Sequence, residues 1–160
     1  MTLRIYNTLS KKEEEFVPLD DRKVRMYVCG VTVYDDMHMG HARSAIVFDM
    51  IARYLRYRGY YVKHVTNFTD VDDKIINRAA EKGMDPLELS SMYIQRYFED
   101  IDRLGVRRAD EYPKASESIG DIIDMIQKII DNGYGYVSED GSVYFSVEKV
   151  EDYGRLTGQR

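Results

Sequence analysis

A polar segment at residues 29–41 separates a stretch typical of a β-strand from a stretch typical of an α-helix. Before it, apolar side chains alternate with charged or polar ones over residues 23–28, which is the period of a strand. After it, apolar residues recur at helical spacing, at Ala45, Phe48, Ala52 and Leu55. The sequence therefore predicts a strand, then the polar segment, then a helix that begins near Gly40.

The start of the predicted helix has the properties of an anion site. The first turn of a helix carries unpaired N–H groups and the positive end of the helix dipole. His38 and His41 lie on either side of Gly40, and imidazole N–H groups can donate hydrogen bonds to phosphate oxygens. Gly40 has no side chain to keep a base or sugar from the backbone. We interpret this junction as a nucleotide-triphosphate site, although a histidine in such a string is often only a packed residue.

A second polar cluster, residues 66–74, follows a second predicted strand at residues 60–65. In an open parallel α/β sheet, ligands bind at the carboxyl ends of the strands. Two polar clusters after two successive strands therefore predict one shared ligand crevice. Asp72 and Asp73 are typical of a helix cap and first turn, and His64 is expected to be a packed or surface residue.

Three motifs together closely resemble the cysteinyl-tRNA synthetase family. They are residues 26–35 (Met-Tyr-Val-Cys-Gly-Val-Thr-Val-Tyr-Asp), His38-Met39-Gly40-His41, and residues 67–74 (Asn-Phe-Thr-Asp-Val-Asp-Asp-Lys). The second is similar to the His-Ile-Gly-His signature of class I synthetases. The resemblance implies an α/β fold, with the first half of a class I Rossmann-like parallel sheet over residues 1–111. It places part of an α+β connective-peptide insertion, with a helix and a β-hairpin, at residues 112–160.

The resemblance also implies a function: cysteine–tRNA ligase, with ATP-dependent formation of cysteinyl-adenylate and transfer to tRNA(Cys). His38 and His41 are then the expected catalytic residues, and with Gly40 they bind ATP, which is used with Mg²⁺. Gly30, Thr32 and Thr69 are expected to line the cysteine pocket. Most tRNA contacts are expected from family regions that follow the matched part.

Cys29 is the position that the resemblance assigns to a zinc ligand. A soft metal distinguishes a thiolate from a hydroxyl better than a shape pocket can, because cysteine and serine are similar in size. By the resemblance, the other zinc ligands come from later sequence. A lone cysteine is otherwise often a small core residue. No Lys-x-Ser-Lys string, the second class I signature, occurs in the chain, so we expect an N-terminal part of the enzyme that is inactive alone.

Three alternatives remain open from the sequence. A ligase that delivers activated cysteine to a small amino-sugar would share every motif present here. A compact nucleotidylyltransferase is a different class, but it would carry its phosphate motif nearer the N-terminus and a second Ser/Thr-rich motif late in the chain, and neither feature is found. A truncated module that binds a nucleotide and catalyses nothing would also fit.

Composition favours a protein of the cytoplasm. No apolar run approaches the roughly 20 residues that a membrane helix needs, so no membrane partner is expected. The single cysteine is typical of a reducing compartment. The net charge of −5 argues against strong independent binding to nucleic acid.

The remaining sequence predicts scaffold. Apolar spacing predicts helices over residues 87–104 and 119–130, and Asp140-Gly141 predicts a hairpin between residues 134–138 and 142–147. The basic run at residues 53–58 is expected on the solvated face of its helix.

Overall fold

The computed structural model describes residues 2–158. Residue 1 of the predicted region 1–111 and residues 159 and 160 of the predicted region 112–160 lie outside the described part. The chain forms two compact units, Pro18–Ile119 and a second unit that joins residues 2–17 with residues 120–158. The division at residues 111 and 112 stays a prediction. The strands are β1 (Arg4–Asn7), β2 (Lys12–Glu15), β3 (Lys23–Thr32), β4 (Tyr61–Thr69), β5 (Gly135–Val137) and β6 (Val143–Phe145). The α-helices are α1 (Met39–Tyr57), α2 (Asp73–Lys82), α3 (Pro86–Arg103) and α4 (Ile119–Asp131).

The unit Pro18–Ile119 is built on two parallel strands, β3 and β4, joined by α1. Their register runs from Lys23 opposite Tyr61 to Thr32 opposite Thr69. An irregularity lies between Val28 and Val31. The parallel pairing confirms the predicted α/β arrangement, and both strands extend four residues beyond their predicted ends.

Side-chain caps fix where the helices begin. His38 has extended backbone angles, and its Nδ1 accepts a hydrogen bond from the Gly40 N–H at 3.0 Å, so α1 starts one residue before the predicted position. Asp72 caps α2 by accepting from the Lys74 N–H at 2.9 Å, and Asp73 lies in the first turn. The predicted structural role of these two acids is confirmed.

The core of this unit forms around Phe68 near the carboxyl end of β4. Its ring stacks on Tyr112 at a centroid distance of 5.1 Å and meets Tyr97 and Phe98 edge-on at 5.4 and 5.5 Å. The buried apolar residues packed in this cluster are Val33, Phe68, Ile75, Ala79, Leu89 and Tyr93. Because these residues come from the position directly after β3, from β4, from α2 and from α3, the core holds the strand ends in place.

The connector between α3 and α4, residues 104–118, lies along the edge of β4 that does not face β3. The Thr66 N–H donates to the Glu111 carbonyl at 3.1 Å, and the Phe68 N–H donates to the Pro113 carbonyl at 2.9 Å. Asp70 is buried and accepts from both the N–H and the hydroxyl of Ser116. One edge of the sheet is therefore paired with the connector rather than left open.

Two arginines of α1 form ion pairs and hydrogen bonds with other parts of the unit, whereas the basic run at residues 53–58 was expected to face solvent. Arg53 pairs with Asp49 at 2.7 Å and donates to the Gly105 carbonyl at 2.6 Å. Arg56 pairs with Asp110 at 3.0 Å and donates to the Val62 carbonyl at 3.0 Å. Both side chains tie α1 to neighbouring chain segments.

The second unit contains two antiparallel hairpins, β1–β2 and β5–β6. The predicted helix and hairpin are confirmed as α4 and β5–β6. The β1–β2 hairpin was not predicted, because residues 12–15 are all charged and show no apolar alternation. Within residues 2–158, no helix is both long enough and apolar enough to span a membrane.

Candidate active site

The two signature histidines form a stacked pair at the N-terminus of α1. Their ring centroids are 3.8 Å apart, and the ring planes differ by 18°. Because the Nδ1 atom of His38 accepts the Gly40 N–H, the proton of the neutral His38 ring lies on Nε2, where it is available to a ligand. His41 is half-buried, and burial together with the nearby charge of His38 lowers its pKa below the ordinary value.

This pair is suited to hold an anion. Neutral imidazoles donate N–H hydrogen bonds, and the first turn of α1 adds backbone N–H groups and the positive end of the helix dipole. A negative charge placed there would also offset the lowered pKa of His41, because it favours the imidazolium form. The geometry therefore fits the contacts that a phosphate requires.

Gly40 leaves room for the His38 ring. A Cβ atom at this position would lie 2.8 Å from Cε1 and 3.0 Å from Nδ1 of His38. Any side chain at Gly40 would push the His38 imidazole out of its capping position. The glycine between the two histidines is thus explained by the geometry of the histidine itself.

Gly30 has a similarly strict requirement. A Cβ atom there would lie 1.6 Å from the carbonyl oxygen of Asn67, which no local adjustment accommodates. Its N–H donates to Asn67 Oδ1 at 2.9 Å. The close approach of β3 to β4 explains a glycine at this position, and a role for Gly30 in binding a substrate stays a prediction.

Thr32 and Thr69 lie opposite each other in the register at the carboxyl ends of β3 and β4. Asn67 links this pair to Gly30, since its Nδ2 donates to Thr69 Oγ1 at 3.3 Å. Its Oδ1 also accepts from the hydroxyl of Tyr27 at 2.9 Å. Asn67 was not singled out from the sequence, although it begins one of the motifs.

Cys29 is exposed and carries a free thiol. Within the described part of the chain, no group of three or more histidine, cysteine or acidic side chains is placed to hold a metal ion. A structural or catalytic zinc needs at least three protein ligands. The residues present therefore do not form a zinc site by themselves.

His64 does not join the histidine pair. It was predicted to be a packed or surface residue, and at 8% exposed it is packed. Its Nε2 is buried and has no hydrogen-bond partner among residues 2–158. It lines a cavity of about 40 Å³, as do Cys29 and Thr66.

Sequence reasoning missed two ion pairs beside the histidines. Asp35 pairs with Arg78 of α2 at 2.6 Å, and Asp36 pairs with Arg96 of α3 at 2.9 Å. A hydrogen bond from the Asp36 N–H and the charge of Arg78 lower the pKa of Asp35. Two adjacent acids directly before the histidine motif were the available signal, because such acids next to an anion site need counter-charges.

Residues 15–160 match the family described as tRNA synthetases class I (C) catalytic domain. The chain belongs to this family. The match confirms the resemblance drawn from the three motifs.

The relatives are proteins named cysteine–tRNA ligase. The protein of Thermodesulfovibrio yellowstonii is 55% identical over 99% of this chain, and that of Aquifex aeolicus is 57% identical over 98% of it. The Clostridioides difficile protein is 52% identical over 99% of the chain. The chain spans about a third of the length of these relatives, with shares of 33%, 32% and 34%.

A solved structure supports the fold. Methionyl-tRNA synthetase of Mycobacterium tuberculosis, in complex with methionyl-adenylate, superposes with a TM-score of 0.65. It is 20% identical in sequence, and the match covers 72% of this chain and 23% of that one. The α/β Rossmann-like class I fold is confirmed.

Proposed function

We propose that this chain supplies the ATP- and cysteine-binding part of a cysteine–tRNA ligase, which forms cysteinyl-adenylate and then charges tRNA(Cys). The observation that carries the proposal is the stacked pair of His38 and His41 at the N-terminus of α1. Family membership and more than 50% identity to proteins of that name support it. We place the activity in the cytoplasm, where protein synthesis occurs.

The reaction needs charge stabilisation rather than a protein nucleophile. A carboxylate oxygen of cysteine attacks the α-phosphorus of ATP, and the bond from that phosphorus to the pyrophosphate oxygen breaks. Negative charge shifts onto the phosphate oxygens as this happens. The N–H groups of His38 and His41 donate to those oxygens and stabilise the transition state, and Gly40 contributes by leaving room for the His38 ring. Bound Mg²⁺ neutralises phosphate charge.

The cysteine end of the site uses the strand termini. We assign Gly30, Thr32 and Thr69 to the amino-acid pocket because they lie where β3 and β4 end. Cys29 is our proposed contribution to a zinc ion whose other ligands lie outside the described residues. Contacts to tRNA(Cys) are assigned mainly to regions beyond the part that this chain shares with its relatives.

The test is cysteine-dependent ATP–pyrophosphate exchange in a chimera. This chain would replace the matching third of the Aquifex aeolicus relative, to which it is 57% identical. We expect exchange with cysteine and a loss of about 10²- to 10³-fold in the His41→Ala variant, as for removal of one transition-state donor. Gln95→Ala, at an exposed position of α3, is the matched control. A folded chimera without exchange, or normal exchange in His41→Ala, would refute the proposal.

A further inference from the structure

The loop between β3 and α1, residues 33–38, is held by charged contacts from two helices. Asp35 accepts from Arg78 Nη2 at 2.6 Å, and both carboxylate oxygens of Asp36 accept from Arg96 Nη1, at 2.9 and 3.1 Å. Arg78 belongs to α2 and Arg96 to α3. Two adjacent loop residues are therefore attached to two different helices.

A contact within α2 also orients the Arg78 side chain. Its Nη1 binds Glu81, one turn further along α2, at 3.1 Å. Its Nε is buried and has no hydrogen-bond partner among residues 2–158, so part of the guanidinium is already removed from water. Charge–charge attraction strengthens where solvent is excluded. The Asp35 carboxylate and the Arg78 side chain are nevertheless both partly exposed, so this pair is partly screened by water.

Contacts other than the two arginines also hold residues of the loop. Asp35 Oδ1 accepts from the Asp36 N–H at 2.9 Å, which sets the orientation of the carboxylate that Arg78 binds. The Tyr34 ring lies 5.6 Å from Lys74 Nζ, a cation–π contact to α2. Val33 is 2% exposed and packs in the core. Each of the four loop residues from Val33 to Asp36 has a named contact.

These contacts lie close to the histidine pair in the sequence. Only Met37 separates Asp36 from His38. His38 in turn caps α1 and stacks on His41. Because α2 and α3 pack through buried Ile75, Ala79 and Leu89, the two arginines extend from a rigid base.

We propose that Arg78 and Arg96 are positioning residues that fix the loop at residues 33–38 and so hold His38 and His41 in the stacked geometry that phosphate binding uses. The proposal rests on the proposed function. It concerns the alignment of the donors, since neither arginine is assigned a contact with the nucleotide.

The test uses the three histidines of the chain as reporters. Ring proton signals of His38, His41 and His64 are recorded by NMR in Arg78→Gln, Arg96→Gln and the double variant, and ATP affinity is measured in the same samples. Arg108→Gln is the matched control, because Arg108 forms a similarly exposed pair with Asp102 at 2.6 Å, the same length as the Arg78–Asp35 pair, and Asp102 is not part of the loop.

We expect the signals of His38 and His41 to shift in the loop variants, because ring stacking at 3.8 Å alters the field each ring feels. The His64 signal should stay in place. Both pairs are partly exposed, so each single variant should weaken ATP binding about 2- to 5-fold, and the double variant more. Arg108→Gln should change none of these quantities.

Unchanged His38 and His41 signals in a folded double variant would overturn the proposal, as would an equal effect of Arg108→Gln. Asp35→Asn breaks the same contact from the loop side while keeping an oxygen for the Asp36 N–H, and it serves if the arginine variants do not fold. If the unaltered chain shows no ATP binding while the histidine signals still respond, the positioning role holds and the proposed function fails.

Discussion

At the residue scale, His38 both caps a helix and offers a hydrogen-bond donor. Its Nδ1 is occupied by the Gly40 N–H, so its Nε2–H is the atom left for a ligand. His41 differs, because partial burial and the charge of His38 lower its pKa. The pair therefore combines one imidazole of fixed tautomer with one that stays neutral at physiological pH.

The first prediction concerns the titration of His41. Its pKa should lie below the ordinary value of about 6.5. The unfolded chain then binds more protons at this site than the folded chain, so the contribution of His41 to stability is fully present above about pH 6.5 and is lost as pH falls toward the lowered pKa. Burial shifts the pKa of His64 in the same direction. An NMR titration measures both values, and a His41 pKa at or above the ordinary value would contradict the account.

The second prediction concerns Gly30. Gly30→Ala should reduce the free energy of unfolding by about 1–3 kcal/mol, because a Cβ atom 1.6 Å from the Asn67 carbonyl oxygen forces the strands apart. Urea unfolding measures the change.

Gly120→Ala is the control for this substitution. A Cβ at Gly120, in α4, would meet nothing within 4 Å. Alanine there should be neutral or stabilising by about 0.5–1 kcal/mol. Equal effects at Gly30 and Gly120 would show that the strand contact is not the cause.

At the scale of elements, the His38 cap of α1 depends on the glycine at position 40. Gly40→Ala should leave α1 folded, because alanine is a better helix former than glycine. The added Cβ would displace the His38 ring, which it approaches to 2.8 Å. We expect changed ring proton signals of His38 and weaker ATP binding. An unchanged His38 signal would show that the ring does not need the space at Gly40.

Asp70 holds the connector that pairs with β4. Asp70→Ala removes the acceptor of the Ser116 N–H and hydroxyl, and an unsatisfied buried donor costs about 1–3 kcal/mol. The variant should lower the free energy of unfolding by that amount and speed amide hydrogen exchange at Thr66 and Phe68. Asp73→Asn, at an exposed position in the first turn of α2, is the control. No change in exchange at Thr66 and Phe68 would contradict this role.

Local sequence pattern predicted the elements whose period is visible in the chain. Apolar alternation in β3 and helical spacing in α1 were sufficient, and the polar segments between them indicated the site. The contacts that orient that site could not be predicted in the same way. Arg78 lies 43 residues from Asp35, and Arg96 lies 60 residues from Asp36, so only the packing of α2 and α3 brings them together.

At the scale of the whole molecule, the unit Pro18–Ile119 contains every residue of the candidate phosphate site: both signature histidines, the strand ends and both arginines of the loop contacts. The net charge of −5 gives ATP no general attraction to the chain. In the proposed function, ATP binding therefore depends on local donors at the start of α1. A test must therefore show where on the chain ATP binds, as well as how tightly.

The most direct test is a titration of this chain with Mg²⁺-ATP, followed through the ring protons of its three histidines. We expect saturable shifts of the His38 and His41 signals, a rise in the His41 pKa when the triphosphate is bound, and no shift of the signal of buried His64. Binding that leaves His38 and His41 unperturbed, or no binding by the folded chain, would contradict this expectation.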